Sequence, residues 1–278
     1  MTAAENTLGS APIEAIAREA GAMLRERFGN PGRIDAKGAL ATNAGGAEVS
    51  PMAMDLVTEC DHAAEAIILG RIRELNPDAV ILAEESGHVP AAGGERPLVE
   101  AEDLWIVDPL DGTVNFANTL PGFSVSIARY SHGVPVAGAI FDPLVGECFT
   151  FAAGEGAKCN GEPITGNPSA LTHETVLGLG SSQGLFPGVV REFRTWRRVG
   201  SAALSLSYLA SGRFGAHITL GGLSPWDVAV GAPLIEAAGG VVVTEHFQPW
   251  QSVLSGTTGV IAAGSPEMLQ RVRGLLGR

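Results

Sequence analysis

Two short apolar runs, residues 79–83 and 104–107, each break off into acid: Glu84 and Glu85 follow the first, Asp108 the second. Short apolar runs bounded by polar residues read as buried strands. At a strand end the side chain leaves the core while its backbone stays fixed, so an open sheet places its chemistry there. The chain is therefore expected to build a sheet whose strand ends carry carboxylates.

The remaining sequence supplies layers to cover such a sheet. Apolar positions Ile13, Ile16, Ala17, Ala20 and Leu24 recur at helical spacing within residues 12–28, and Gly29, Pro31 and Gly32 stop the pattern. Thr58 is placed to cap a second helix running to Leu75, with Ala64, Ile67, Ile68, Ile72 and Leu75 on its buried stripe. Between these helices, residues 38–53 are rich in Gly, Ala, Asn and Ser without periodicity. They read as a mobile loop of the kind that covers active sites, anchored by Met52 and Met54. Residues 123–130, 134–141 and 147–152 read as an antiparallel meander, and beyond Asn160 β runs alternate with helices at 201–211, 225–238 and 266–276. A chain of 278 residues that is 45% hydrophobic and 17% charged has apolar material for one large domain or two closely packed lobes. We place an α+β lobe at residues 1–155 and an α/β lobe at 156–278.

The most informative stretch is Asp108-Pro109-Leu110-Asp111-Gly112-Thr113, in which two carboxylates flank a Pro-containing turn able to aim both at one point. Hard cations such as Mg²⁺ take oxygen ligands, keep several waters, and are held by few carboxylates together with substrate phosphate. Gly112 and Thr113 open what reads as a helix, whose first N–H groups can receive a phosphate. Asp-Pro and Asp-Gly are also ordinary turn formers, and adjacent glutamates such as Glu84 and Glu85 are commonly just solvated. Ser224-Pro225-Trp226-Asp227 likewise reads either as a capped helix start or as a further ligand. Each segment by itself leaves both readings open. Only the coexistence of Glu84, Asp108, Asp111 and Asp227 supplies the carboxylates that two or three divalent ions need.

Thirty acidic against 18 basic residues give a formal net charge of −12, a field that repels nucleic acid and anionic membrane. A chain of this charge that handles a phosphate ester needs a local source of positive charge, which bound divalent metal provides. Cys60, Cys148 and Cys159 lack CxxC spacing, so neither a disulfide framework nor a zinc site is indicated and a reducing cytoplasm is the expected setting. The amino-terminal segment has no leader pattern, and no stretch approaches the roughly 18 uninterrupted apolar residues of a membrane span.

Asp55-Leu56-Val57-Thr58 with Asp61, Ala83-Glu84-Glu85-Ser86, residues 108–116, and Trp226-Asp227 through Glu236-Ala237-Ala238-Gly239-Gly240 occur in an order that resembles the inositol monophosphatase superfamily. The resemblance extends from the first helix to the carboxyl terminus. It implies an α+β fold, a layered αβαβα sandwich of the inositol monophosphatase and fructose-1,6-bisphosphatase type, and a phosphoric monoester hydrolase using two to three Mg²⁺ ions. It implies Glu84, Asp108, Asp111 and Asp227 as side-chain ligands, the Leu110 carbonyl as a backbone ligand, and the Gly112 and Thr113 N–H groups as the phosphate cradle. Glu84 and Thr113 then assist an activated water attacking in line, and Asp55 lies near the Thr113 hydroxyl to orient it. Most of these ligands fall in the amino-terminal lobe, whereas Asp227 and the alcohol pocket fall in the carboxyl-terminal one. Members are often homodimers, which is the expected assembly.

The expected substrate is a small soluble phosphate monoester, inositol-1-phosphate or a related polyol or sugar phosphate. Gly200-Ser201-Ala202-Ala203 resembles the family's alcohol-pocket segment, giving Gly200, Ser201 and Ala202, with Asp111 and Asp227, as substrate contacts. Leu220 stands where the inositol enzymes usually carry Glu, so a ring-hydroxyl acceptor is missing. Val114 stands where the histidinol-phosphate branch tends to place Arg, which favours a sugar or polyol ester, and Lys37 resembles the lysine of the family's metal-binding loop. A fructose-1,6-bisphosphatase or histidinol-phosphate phosphatase on the same scaffold is the alternative within the class. A two-carboxylate glycoside hydrolase or a non-catalytic metal- or phosphate-binding module is the alternative outside it. His62, His88, His132, His173, His217 and His246 are scattered without an HxxxH pair and are expected at the surface or in turns.

Overall fold

The structure is a computed structural model that describes residues 9–37, 55–89, 101–180, 187–255 and 258–277. Helix α1 (Ser10–Arg27) buries the stripe read from its spacing, Ile13, Ile16, Ala17, Ala20 and Leu24. Helix α2 (Glu59–Leu75) starts from a reciprocal cap: the Cys60 N–H donates to the Thr58 hydroxyl at 3.1 Å, and the Thr58 N–H donates to Asp61 Oδ2 at 2.8 Å.

Among the described residues the strands form three sheets. β1 (Ile34–Lys37) and β2 (Asp55–Thr58) make a two-stranded antiparallel ribbon with Lys37 opposite Asp55. The large sheet contains β3 (Val80–Ala83), β4 (Gly87–Val89), β5 (Leu104–Asp111), β6 (Ser124–Ser131), β7 (Val134–Asp142), β8 (Glu147–Ala152), β9 (Gly156–Cys159) and β10 (Glu162–Pro163). Its spatial order is β10-β9-β8-β7-β6-β5-β3-β4, in which β6, β7 and β8 are the expected meander. The small sheet, ordered β12-β11-β13-β15-β14, is made of β11 (Val176–Leu179), β12 (Thr195–Arg197), β13 (Ala216–Leu223), β14 (Val241–Thr244) and β15 (Thr258–Ala263). The remaining helices are α3 (Thr113–Ala117), α4 (Pro187–Val190), α5 (Ala202–Ala210), α6 (Pro225–Val228), α7 (Gly231–Ala237) and α8 (Pro266–Leu275).

Strand alternation sorts these elements into layers. On β5, Trp105 and Val107 share a core with Ile13 and Leu24 of α1 and Ile68 and Ile72 of α2. Leu104 and Ile106 face the opposite way, into a core with Leu206 of α5, Leu234 of α7 and, from the small sheet, Val242 and Ala262. Beyond the small sheet, Leu177, Ile218 and Ile261 pack against Val189 of α4 and Met268, Leu269 and Val272 of α8. The order is therefore α1 and α2, large sheet, α5 to α7, small sheet, α4 and α8, the expected αβαβα sandwich. The middle helices serve both sheets, so the two halves of the chain share one core. The large sheet runs on to Pro163, and residue 155 lies in the turn between β8 and β9.

Two elements differ from expectation. The strand read as ending at Val107 continues through Asp111, because its pairing with β6 shifts register between Asp108 and Asp111. That bulge accommodates Pro109, which has no N–H to give to the ladder. The helix expected over 225–238 is two, α6 and α7, with Ala229 and Val230 between them. Gly231 opens α7 hard against α5, where a Cβ would come within 2.5 Å of the Leu206 side chain. No helix among the described residues is long and apolar enough to cross a membrane. The loop at 38–53, with Met52, and the side chain of Lys37 lie outside the described residues, as does Met54.

Candidate metal centre

The β5 bulge and the start of α6 bring three carboxylates together. Asp108 follows Leu104 and Ile106 in alternation, so it belongs to the face of the large sheet that looks into the middle helical layer. Asp111 ends the same strand, and Asp227 is the third residue of α6 in that layer. One carboxylate oxygen from each of Asp108, Asp111 and Asp227 lies within 4.8 Å of the others. Glu84 directly follows β3, which pairs in parallel with β5, and its N–H donates to the Val107 carbonyl at 3.1 Å. Its carboxyl reaches that of Asp108.

Packing these acids together without a cation is unfavourable. Burial, followed by the charges of Glu84, Asp111 and Asp227, holds the Asp108 carboxyl well above the usual carboxylate range. Burial also pushes Asp111 up to about 6, against the opposing pull of hydrogen bonds from Ser201, Ala203 and Ala202. Two of those bonds are short: the Ser201 hydroxyl and the Ala203 N–H donate to Oδ2 at 2.5 and 2.7 Å, while the Ala202 N–H donates to Oδ1 at 3.2 Å. Asp111 is thus fixed on the amino-terminal end of α5, where a negative charge is favoured. The donor set is all oxygen, as a hard cation such as Mg²⁺ requires, and lacks the Cys and His atoms that zinc prefers.

Protons and metal compete for such a site. A carboxyl whose pKa is raised by folding contributes its stability below the unfolded value and loses it as pH rises through the folded value, about 6 for Asp111. The metal-free protein is therefore expected to lose stability over that interval, and Mg²⁺ to restore it. Calorimetric melting with and without Mg²⁺ should show a Tm increment that is small near pH ~5 and grows toward pH ~7.5. A constant increment across that range would contradict the assignment.

The Thr113 hydroxyl is partnered by Asp61, whereas the expected partner was Asp55. The Thr113 hydroxyl lies 3.0 Å from Asp61 Oδ1 and 3.0 Å from the Leu110 carbonyl. Asp61 is fully buried, and its other oxygen accepts the Thr58 N–H and, at 2.6 Å, the Thr58 hydroxyl. Asp55 is at the far end of β2, three strand residues or roughly 10 Å of extended chain before Thr58, and its side chain lies outside the described residues. The local signal for Asp61 was its place three residues after a Thr cap. Asp61→Ala removes both the cap and the acceptor for Thr113. We expect it to cost about 1–2 kcal/mol in chemical unfolding and to lower turnover by about 10- to 100-fold. Unchanged turnover in a stably folded variant would separate Asp61 from the chemistry.

The expected alcohol-pocket residues do come together. Asp111, Gly200, Ser201, Ala202 and Asp227 all line one cavity of about 170 Å³. Leu220 instead faces the core between the small sheet and α8, in line with Ile218. His217 overturns the expectation of a surface residue: it is 1% exposed on β13 and also lines the cavity. Asn115 is a further structural residue that its motif did not reveal. Its side-chain amide donates toward the Gly122 carbonyl at 2.7 Å and the Val199 carbonyl at 2.9 Å, tying the α3 region to the lip before Gly200. A clamp between distant backbones leaves no periodic trace in sequence.

Fold and site together define a five-layer α+β protein with a carboxylate cluster able to hold a metal ion and an adjoining polar cavity. The chain belongs to the inositol monophosphatase family, whose model matches residues 7–276. It is 33% identical over 269 residues to the Nus factor SuhB of Escherichia coli K12, with 91% of this chain and 90% of that protein covered. It is 32% identical over 263 residues to Inositol monophosphatase 1 of Solanum lycopersicum, with 91% and 88% covered. Among solved structures, the extragenic suppressor protein suhB of Bartonella henselae aligns at a TM-score of 0.81 and 28% identity over 96% of this chain and 98% of that one. The inositol monophosphatase of Anabaena (Nostoc) aligns at a TM-score of 0.75 and 31% identity over 96% and 94%.

Proposed function

We propose that this chain is a Mg²⁺-dependent phosphomonoesterase that hydrolyses a small polyol or sugar phosphate, inositol-1-phosphate or a close analogue, with two to three ions at its site. The observation that carries the reading is the convergence of Asp108, Asp111 and Asp227 beside a cavity that Asp111 and Asp227 also line. Family membership supports hydrolysis as the reaction. The charge of −12 supports a soluble ester, rather than nucleic acid or membrane, as the ligand, although several relatives are named Nus factors. A cytoplasmic homodimer completes the proposal.

Glu84, Asp108, Asp111, Asp227 and the Leu110 carbonyl would hold the metal. When bound, it supplies neutralisation of the ester's charge, acidification of the attacking water and stabilisation of the leaving alkoxide. The protein's own groups do the positioning. The Leu110 N–H donates to Asp108 Oδ1 at 3.1 Å and orients that carboxylate, as Ser201, Ala202 and Ala203 orient Asp111. With Asp61 and the Leu110 carbonyl both accepting, the Thr113 hydroxyl proton is directed inward and its oxygen is left to accept a hydrogen bond from water. Glu84 takes the water's proton as attack proceeds in line. The Gly112 and Thr113 N–H groups at the start of α3 receive the phosphate. No covalent enzyme intermediate forms in this scheme, so a phosphoenzyme trapped during turnover would refute it.

The test is a comparison of kcat/KM with Mg²⁺ on inositol-1-phosphate, fructose-1,6-bisphosphate, histidinol phosphate and 3′-phosphoadenosine 5′-phosphate, since specificity is that ratio. The inositol ester should lead, EDTA should abolish turnover, and Mg²⁺ should restore it. Activity indifferent to chelation, or hydrolysis of none of the four, would sink the reading.

A further inference from the structure

The cavity continues past the carboxylates to an inner wall formed where β11 and β13 face α5. Ser205, His217, Thr219 and Gly180 line this end, and among the described residues there none is charged. Alternation along β13 sends Ala216, Ile218 and Leu220 into the apolar core on the far side, leaving His217 and Thr219 to face the middle layer. Two glycines, one on β11 and one directly after it, make room for them. A Cβ at Gly178 would lie 2.7 Å from His217 Nδ1, and one at Gly180 would collide with the Thr219 hydroxyl.

His217 is an unusual group to enclose in this way. Burial lowers its pKa to about 4, so at neutral pH the imidazole is uncharged, with one nitrogen a donor and the other an acceptor. Nε2 lies 2.7 Å from Thr219 Oγ1, whereas Nδ1 has no hydrogen-bond partner among the described residues. Buried polar atoms are nearly always paired, and an exception calls for a ligand, a water or a functional reason. Nδ1 is enclosed beside Gly178, so the capacity for a further hydroxyl lies with Thr219, whose hydroxyl is paired with His217 Nε2 and in either tautomer can still donate or accept one more hydrogen bond. Leu220 has no polar side-chain atom to do the same.

We propose that His217 and Thr219 determine specificity for the alcohol half of the substrate, by hydrogen-bonding a hydroxyl of a compact, neutral, ring-shaped polyol. This rests on the phosphatase reading and deepens it by naming the groups that select the ester. The cavity of about 170 Å³ suits a six-membered ring, since an engineered cavity of roughly 150 Å³ takes up benzene. Among the described residues no cationic side chain lines the cavity to pair with a second phosphate, which favours a neutral polyol over a bisphosphate.

The test uses His217→Leu and Thr219→Val with Mg²⁺ on two esters, inositol-1-phosphate and cyclohexyl phosphate, a ring of the same size without hydroxyls. The loss of kcat/KM on the inositol ester should exceed the loss on cyclohexyl phosphate by about 10- to 100-fold, chiefly through KM, and Thr219→Ser should keep the discrimination. Equal losses on the two esters would mean a purely structural role and overturn the proposal. A second readout needs no turnover and no variant. In ¹⁵N-histidine-labelled protein with Mg²⁺ and inorganic phosphate, myo-inositol should move the His217 ring-nitrogen resonances and cyclohexanol should not. Resonances unmoved by saturating myo-inositol overturn the proposal. Should the unmodified protein hydrolyse neither ester, the phosphatase reading fails and the titration alone decides this one.

Discussion

Asp108→Asn is expected to lower kcat by about 10³-fold or more while making the metal-free protein more stable, by about 1–3 kcal/mol at neutral pH. The two effects have one cause. Asp108 is 2% exposed and faces the charges of Glu84, Asp111 and Asp227, so without a cation its ionised form is opposed both by desolvation and by like charge. Asparagine keeps the shape and an oxygen able to accept the Leu110 N–H that now bonds Asp108 Oδ1 at 3.1 Å, but it removes the charge that a divalent ion needs. Chemical unfolding with and without Mg²⁺ should therefore show the variant above the parent when metal is absent and nearly indifferent to Mg²⁺ when it is added. A variant that is less stable without metal, or that turns over at the parental rate, would remove Asp108 from the centre of the site.

Gly112→Ala is expected to destabilise the protein by about 2–4 kcal/mol and to cost most of its activity. Gly112 has φ +98°, which disfavours any residue with a Cβ. The added atom would also lie 2.8 Å from the Gly122 carbonyl, 3.2 Å from Phe123 Cα and 3.3 Å from the Gly200 carbonyl, all backbone that has no room to rotate away. The Gly122 carbonyl is held by Asn115 at 2.7 Å, so displacing it loosens the clamp that joins the phosphate cradle to the alcohol pocket. Gly146 supplies the control: its φ is +80°, but a Cβ there meets nothing within 4 Å. Gly146→Ala should then cost only the conformational share, about 1–2 kcal/mol, and leave kcat alone. Equal losses at the two positions would show that backbone strain, and not the crowded junction, governs Gly112.

What is local in this protein was legible in its sequence. The stripe of α1, that of α2 except for Leu75, which is exposed at the helix end, the Thr58 cap, the β6 to β8 meander and the α5 start at Ser201 follow from spacing and side-chain chemistry within a few residues. The acids at strand ends marked Glu84, Asp108 and Asp111 as candidates for the same reason, and the ordered motifs joined Asp227 to them. For Asp227 the two readings proved compatible: its Oδ2 accepts the Ser224 N–H at 2.6 Å, and the residue still offers an oxygen to the Asp108 and Asp111 cluster.

What depends on the space between elements was decided only by the tertiary structure. Asp61 meets Thr113 because the fold sets the first turn of α2 within hydrogen-bond reach of that hydroxyl. Pro109 stays within a strand because β6 tolerates a shifted register beside it. His217 is buried because Gly178, distant in sequence, lies beside it on a parallel strand and leaves it room. Propensity and periodicity describe one segment at a time, whereas burial, the pairing of polar atoms and the gathering of charge are set by what another segment places opposite.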